Sequence, residues 1–178
     1  MDCKLQSVLK YAESLEGIKY LEWTNTSNDI NNIFYFDKPE PYDILSKNGV
    51  NCSGLINLLM HFSGYTMPKS ISKIRGGTGF WFNYFKKKKI LKKFNYKNNY
   101  KIGTLFLRKY RNLKDQGHFA VLFSRYQNND SFVLNGKIIH ACQDFGVCKT
   151  VFGYSHFYNN NENGYYEYFI EPENWLQL

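Results

Sequence analysis

The chain has 178 residues, 43% of them hydrophobic and 19% aromatic, with a formal net charge of +8. That is enough apolar material for one core without staples, and no apolar run approaches the ~20 residues of a membrane span. Of the four cysteines, Cys52 belongs to a helix, Cys3 lies near the terminus, and Cys142 and Cys148 are separated by Gln-Asp-Phe-Gly-Val. No disulfide framework follows, and a reducing compartment is the simpler reading.

The N-terminus reads directly into an amphipathic helix over about 3–16, with Leu5, Val8, Leu9, Ala12 and Leu15 at helical spacing and no secretory signal. An irregular stretch follows to about residue 48, with an Asn-rich insertion at about 24–48. Asn51-Cys52-Ser53-Gly54 then opens a helix over 51–63, in which Leu55, Leu58, Leu59 and Phe62 form an inward stripe. Cys52 lies three residues before Leu55 and shares that stripe at the helix start. There the free N–H groups and the macrodipole favour thiolate, making Cys52 a candidate nucleophile. His61, nine residues further on, leaves the opposite side of the helix and suits a surface role.

A third helix is expected at about 78–90. It carries the aromatic run Gly79-Phe80-Trp81-Phe82-Asn83-Tyr84-Phe85 and ends in Lys86, Lys87, Lys88 and Lys89. With the net charge, the lysines point to an anionic partner such as nucleic acid or an acidic surface, and the aromatics beside them to base stacking. The plainer reading packs the aromatics into a core and leaves the lysines solvated.

Strands are expected near 103–110, 118–126, 131–142, 147–152 and 165–171, with a polar loop over 159–164. Helices first and an antiparallel sheet after give an α+β fold in one domain, 1–178. Two strands carry histidines, His118 and His140. A loop at Asn128-Asn129-Asp130 that sets Gln127 against Ser131 puts His118 opposite His140 on one sheet face. A bulge at Asn135-Gly136 would slip that register by one. Cys52, His118 as base and His140 as its orienting partner then make a triad. A rival use of His140, Cys142, Cys148 and His156 is zinc ligation. It is set aside because Cys-x5-Cys is not the usual tight knuckle spacing and His156 sits in an aromatic loop.

These motifs, in this order, resemble the NlpC-type papain-like cysteine peptidases of bacterial cell-wall turnover. Glu16-Gly17-Ile18-Lys19-Tyr20 is similar to that family's Gly-x-x-Tyr segment, and Asn51-Cys52-Ser53-Gly54-Leu55 to its nucleophile motif. Gly64-Tyr65-Thr66-Met67-Pro68 is similar to its Gly-x-x-Leu-Pro. Lys101-Ile102-Gly103-Thr104-Leu105-Phe106, Gly117-His118-Phe119-Ala120-Val121 and Ile139-His140-Ala141 resemble its three strand motifs. The resemblance implies a papain-like fold with Cys52 as nucleophile, His118 as base, His140 as third member, and Tyr20 beside the oxyanion. Asn51 and Thr104 replace the family's usual aspartates, and the Trp-Gly-Gly after the tyrosine is absent; these departures fall where substrate is gripped. Because Cys52 precedes both histidines, the order is that of the unpermuted hydrolases rather than of the permuted acyltransferases.

The expectation is therefore a thiol hydrolase cleaving an amide or peptide bond, with no cofactor and no metal. Tyr20 and Ser53 are the candidates around the oxyanion, and the Cys52 thiol should titrate below the ordinary range. The alternative is a non-catalytic or acyl-transferring module whose basic aromatic surface binds an anionic partner. The absence of a leader and the Asn, Lys and Ile bias of an AT-rich genome suggest a cytoplasmic or virion-associated protein.

Overall fold

A computed structural model describes residues 2–22, 42–65, 77–112, 115–125, 133–157 and 165–176. Helix α1 (Cys3–Ser14) starts on Asp2, whose carboxylate accepts from the Lys4 and Leu5 N–H groups. It buries Leu5, Val8, Leu9 and Ala12, as their spacing requires. Helix α2 (Tyr42–Asn48) lies inside the stretch expected to be irregular and buries Leu45. Its seven residues hold only one core position, too short a period to register in the sequence. Residues 24–41 of the insertion fall outside the described residues.

Helix α3 (Cys52–Phe62) is buried on nearly every side, with Cys52 and each residue from Gly54 to Met60 enclosed. Phe62, expected in the inward stripe, is instead exposed and stacks on Tyr11 at 4.3 Å between centroids. Helix α4 (Thr78–Lys87) buries Trp81 and Phe85. The Trp81 indole donates to Asn57 Oδ1 at 2.7 Å, tying α4 to α3 through a buried hydrogen bond. Both helices end in the same device. Tyr65 N–H reaches Met60 O and Gly64 N–H reaches His61 O; Ile90 N–H reaches Phe85 O and Lys89 N–H reaches Lys86 O. The residue in the left-handed conformation is Gly64 in the first and Lys89 in the second, with φ of 82° and 58°.

Six strands form one antiparallel sheet: β1 (Lys92–Lys93), β2 (Leu105–Arg108), β3 (His118–Ser124), β4 (Lys137–Cys142), β5 (Gly146–Val151) and β6 (Tyr168–Ile170), in the order β1-β6-β2-β3-β4-β5. Short helices α5 (Phe152–Phe157) and α6 (Pro172–Trp175) follow β5 and β6. The protein is therefore a mixed helix and antiparallel-sheet fold. Strands β2, β3, β5 and β6 lie at their expected places, whereas β4 fills only the second half of the expected 131–142. The two-residue β1, α5 and α6 were not anticipated.

Sheet alternation divides the interior. Leu105, Leu107, Phe119, Val121 and Ile139 face the core shared with α1, α3 and α4. Phe106, Ala120, Leu122 and Ile138 face a second cluster with Phe152 and Tyr166. A tether crosses the first core: Val50 N–H donates to Lys19 O, Leu21 N–H to Val50 O, Gly17 N–H to Val147 O and Val147 N–H to Ile18 O. Residues 17–21 are thereby threaded between the start of α3 and β5. Gly146 makes that approach possible, since a Cβ there would stand 2.1 Å from Ile18 O at a φ of +66°.

Candidate functional site

Cys52 is the first residue of α3, and the helix start is built around it. The Asn51 side chain accepts from Gly54 N–H at 2.8 Å and from the Ser53 hydroxyl at 3.0 Å. Asn51 thus caps the helix without adding a charge beside the sulfur. Ser53, a candidate at the oxyanion, has its hydroxyl committed to this cap, while its backbone N–H points at Cys52 Sγ. The sulfur also receives hydrogen bonds from its own N–H, from Phe119 N–H and from the Thr78 hydroxyl.

The Thr78 contact joins the starts of two helices, because Thr78 opens α4 as Cys52 opens α3. Gly117 permits it: at φ +77° a Cβ there would stand 2.5 Å from Arg108 O and 2.6 Å from Thr78 Cγ2. The start of β3 can therefore press against Thr78 only without a side chain at 117.

His118 follows Gly117 and begins β3, one residue before the backbone that donates to the sulfur. Its Nε2 lies 2.9 Å from His140 Nδ1, with the rings nearly perpendicular at 85°. His140 Nε2 lies 3.1 Å from Thr150 Oγ1 on β5. The sequence expectation that His118 and His140 converge on one face is met, but the register differs. Val121 faces Ile139 and Leu122 faces Ile138, which places Ala120 across from His140 and leaves His118 one diagonal step away. The bulge falls between Leu122 and Ser124 on β3, not at Asn135-Gly136, where a short 3-10 turn (Val133–Asn135) stands instead. The expected loop at residues 127–131 lies outside the described residues.

Electrostatically the site differs from the expectation of a low-pKa thiol. Burial pushes the Cys52 thiol up, and it outweighs the hydrogen bonds that pull it down. Burial also pulls His118 well below the ordinary imidazole range, helped by His140 and by the Arg108 cation across the β2–β3 pair. His140 is pulled down to about 4 by burial. At neutral pH Cys52 rests as a neutral thiol and His118 as a neutral imidazole. The macrodipole argument failed because the same helix end that offers N–H groups is also fully enclosed.

Arg108 and Tyr165 were not legible as site residues. Arg108 donates to Tyr165 Oη at 3.1 Å, lies 2.9 Å from Asp115, and stacks over the Tyr165 ring at 4.0 Å. Tyr165 in turn packs edge-on against His118 at 5.5 Å. Thr78 left a trace in the sequence, a hydroxyl residue opening a predicted helix among glycines. Tyr20, held by its bridge to Val50, is half-buried, and burial with the nearby Cys52 pushes its phenol up, so it remains a neutral O–H donor. Tyr20, Arg108, His118, His140, Cys142 and Tyr165 line a cleft of about 500 Å³.

The other candidates lie apart from this cleft. His61 sits on the last turn of α3, about 13 Å along the axis from Cys52. Lys86, Lys87, Lys88 and Lys89 are exposed at the C-terminal end of α4, where the first two complement the helix dipole. Trp81 and Phe85 are fully buried and so withdrawn from base stacking. No helix among the described residues is long and apolar enough to cross a membrane.

The cysteines give a juxtaposition that the spacing argued against. Cys142 and Cys148 lie on neighbouring strands with their sulfurs 3.6 Å apart, and the His140 ring joins them within 4.8 Å. A linear separation of six residues says little about distance once the chain turns back on itself between β4 and β5. The hydrogen bond between the two thiols pulls Cys142 down and, together with burial, pushes Cys148 up. The side chain of His156 lies outside the described residues. A scan against protein-family models and a search of curated proteins each found no match to this chain.

Proposed function

We propose that the protein is a papain-like thiol hydrolase acting on an amide or peptide bond in the cleft beside His118. The observation that carries this reading is the buried His118–His140 hydrogen bond at the start of β3, where the next residue, Phe119, gives its N–H to the Cys52 sulfur. A buried imidazole pair without a carboxylate is costly unless each ring nitrogen has a role. One tautomer gives each a role. His118 Nε2–H donates to His140 Nδ1, His140 Nε2–H donates to Thr150 Oγ1, and His118 Nδ1 is left with a free lone pair.

His118 Nδ1 then removes the Cys52 proton as Sγ bonds to the substrate carbonyl carbon. The oxyanion is met by the Cys52 N–H at the helix start and by the Tyr20 hydroxyl. The imidazolium returns the proton to the leaving amine as the C–N bond breaks. Water, deprotonated by His118, hydrolyses the thioester and restores the thiol. Because both groups rest neutral, proton transfer accompanies attack rather than preceding it. A cleft of about 500 Å³ suits one or two substrate residues rather than an extended strand.

Incubation with p-nitrophenyl acetate tests this reading. The wild-type protein should acquire one acetyl group on Cys52, found by peptide mass mapping, and then lose it by turnover. Cys52→Ser should release no burst of nitrophenol, and His118→Ala should suppress acylation. Acetylation spread over lysines, with Cys52 unmodified, would contradict the assignment.

A further inference from the structure

We propose that Cys142, Cys148 and His140 form a binding site for a thiophilic divalent cation of the zinc class, and that its occupancy silences the neighbouring base. The effect on the base rests on the thiol-hydrolase reading; the site itself does not. The first support is geometric. With metal–sulfur bonds of about 2.3 Å, two sulfurs 3.6 Å apart subtend about 103° at the ion, close to tetrahedral. The His140 ring nitrogen lies within 4.8 Å of both sulfurs, so a rotamer adjustment of about an ångström completes three protein ligands. In the β4–β5 register His140 faces Cys148 directly, and period-2 alternation puts Cys142 on the same face, so the backbone needs no rearrangement.

The second support is chemical. Two thiols and an imidazole are a soft donor set, which selects zinc-class ions over magnesium or calcium. Metal binding releases the thiol protons to solvent. Cys142 and His140 also line the cleft, which leaves the fourth coordination position open to water.

The consequence for His118 follows from proton counting. Ligation through His140 Nε2 needs the lone pair there, so the proton must sit on Nδ1 and donate to His118 Nε2. His118 then carries its own proton on Nδ1 and has no lone pair for Cys52. Ligation through His140 Nδ1 instead breaks the 2.9 Å bond to His118 outright. Through Nε2 the metal-loaded protein lacks a base for Cys52; through Nδ1 it keeps one that has lost its orienting partner.

Cobalt(II) and zinc(II) titrations of the fully reduced protein test this. Wild type and Cys52→Ser should each bind one ion per chain, with a near-ultraviolet thiolate-to-cobalt band. Cys142→Ser and Cys148→Ser should lose that band and at least tenfold in zinc affinity. A measurement without mutation keeps the test independent of folding: zinc should protect Cys142 and Cys148 of the wild type from alkylation while Cys3 stays reactive. Zinc should also slow Cys52 alkylation, and a chelator should restore it. Binding that survives both serine variants, or that disappears in Cys52→Ser, would overturn the site. Metal held by Cys142 and Cys148 beside a Cys52 inert with or without zinc would leave the site standing and refute the hydrolase reading and the silencing with it.

Discussion

The chemistry turns on which protonation states the buried groups can hold. Cys52, the nucleophile expected from its helix position, is enclosed so completely that its neutral form is favoured, and His118 is held neutral by the same burial and by Arg108. Arg108→Gln removes a cation that faces His118 and should raise the His118 pKa. A raised pKa leaves the base protonated at higher pH, so the acid limb of the pH–rate profile should move up by up to about one unit. A profile that does not move would mean Arg108 acts only through its contacts with Asp115 and Tyr165. At this scale the sequence revealed the residue types and hid their surroundings. Cys52, His118 and His140 were legible because a strand histidine and a helix-start cysteine are scarce and chemically distinctive. Arg108 and Tyr165 were not, because a charged residue at the end of a strand and an aromatic after a polar loop have many commoner uses.

Elements were legible wherever a period repeats. The stripe of α1, the apolar run of α3 and the strand carrying His118 lie within a few residues of their expected ranges, and the strand carrying His140 ends at its expected residue but begins at Lys137. Helix α2 and strand β1 were missed because seven and two residues give too little periodicity. The pairing of β3 with β4 was misplaced by two residues because Ser124 already faces Lys137, a longer connection than the loop expected at 127–131, and the bulge between Leu122 and Ser124 takes back only one residue. An even error preserves the face, which is why both histidines still meet. Helix α4 offers a direct test of a local rule. Lys89 occupies the left-handed position that Gly64 fills after α3. Lys89→Gly should therefore stabilise the protein by about 1 kcal/mol, read as a higher urea midpoint. Destabilisation would show that the Lys89 side chain makes a contact worth more than the strain it carries.

For the molecule as a whole, the buried histidines link stability to pH. The folded pKa of His140 is depressed to about 4, against about 6.5 when unfolded. The unfolded chain therefore binds more protons in that window, and stability rises with pH across it and is lost as pH falls through it. His140 alone contributes on the order of 3 kcal/mol of this loss by pH 4, and His118 acts in the same direction. In the metal-free protein the urea midpoint should fall between pH 7 and pH 4.5, and His140→Gln should make that fall smaller. An equal fall in the variant would place the acid sensitivity elsewhere. The central claim is that His118 serves as the base for Cys52, and the alkylation rate of Cys52 by iodoacetamide at pH 7 tests it most directly, with Cys3 in the same digest as reference. His118→Ala should slow Cys52 about a hundredfold, the low end of general-base assistance, and leave Cys3 unchanged. Equal Cys52 rates in the wild type and in His118→Ala would mean that the two side chains do not work together.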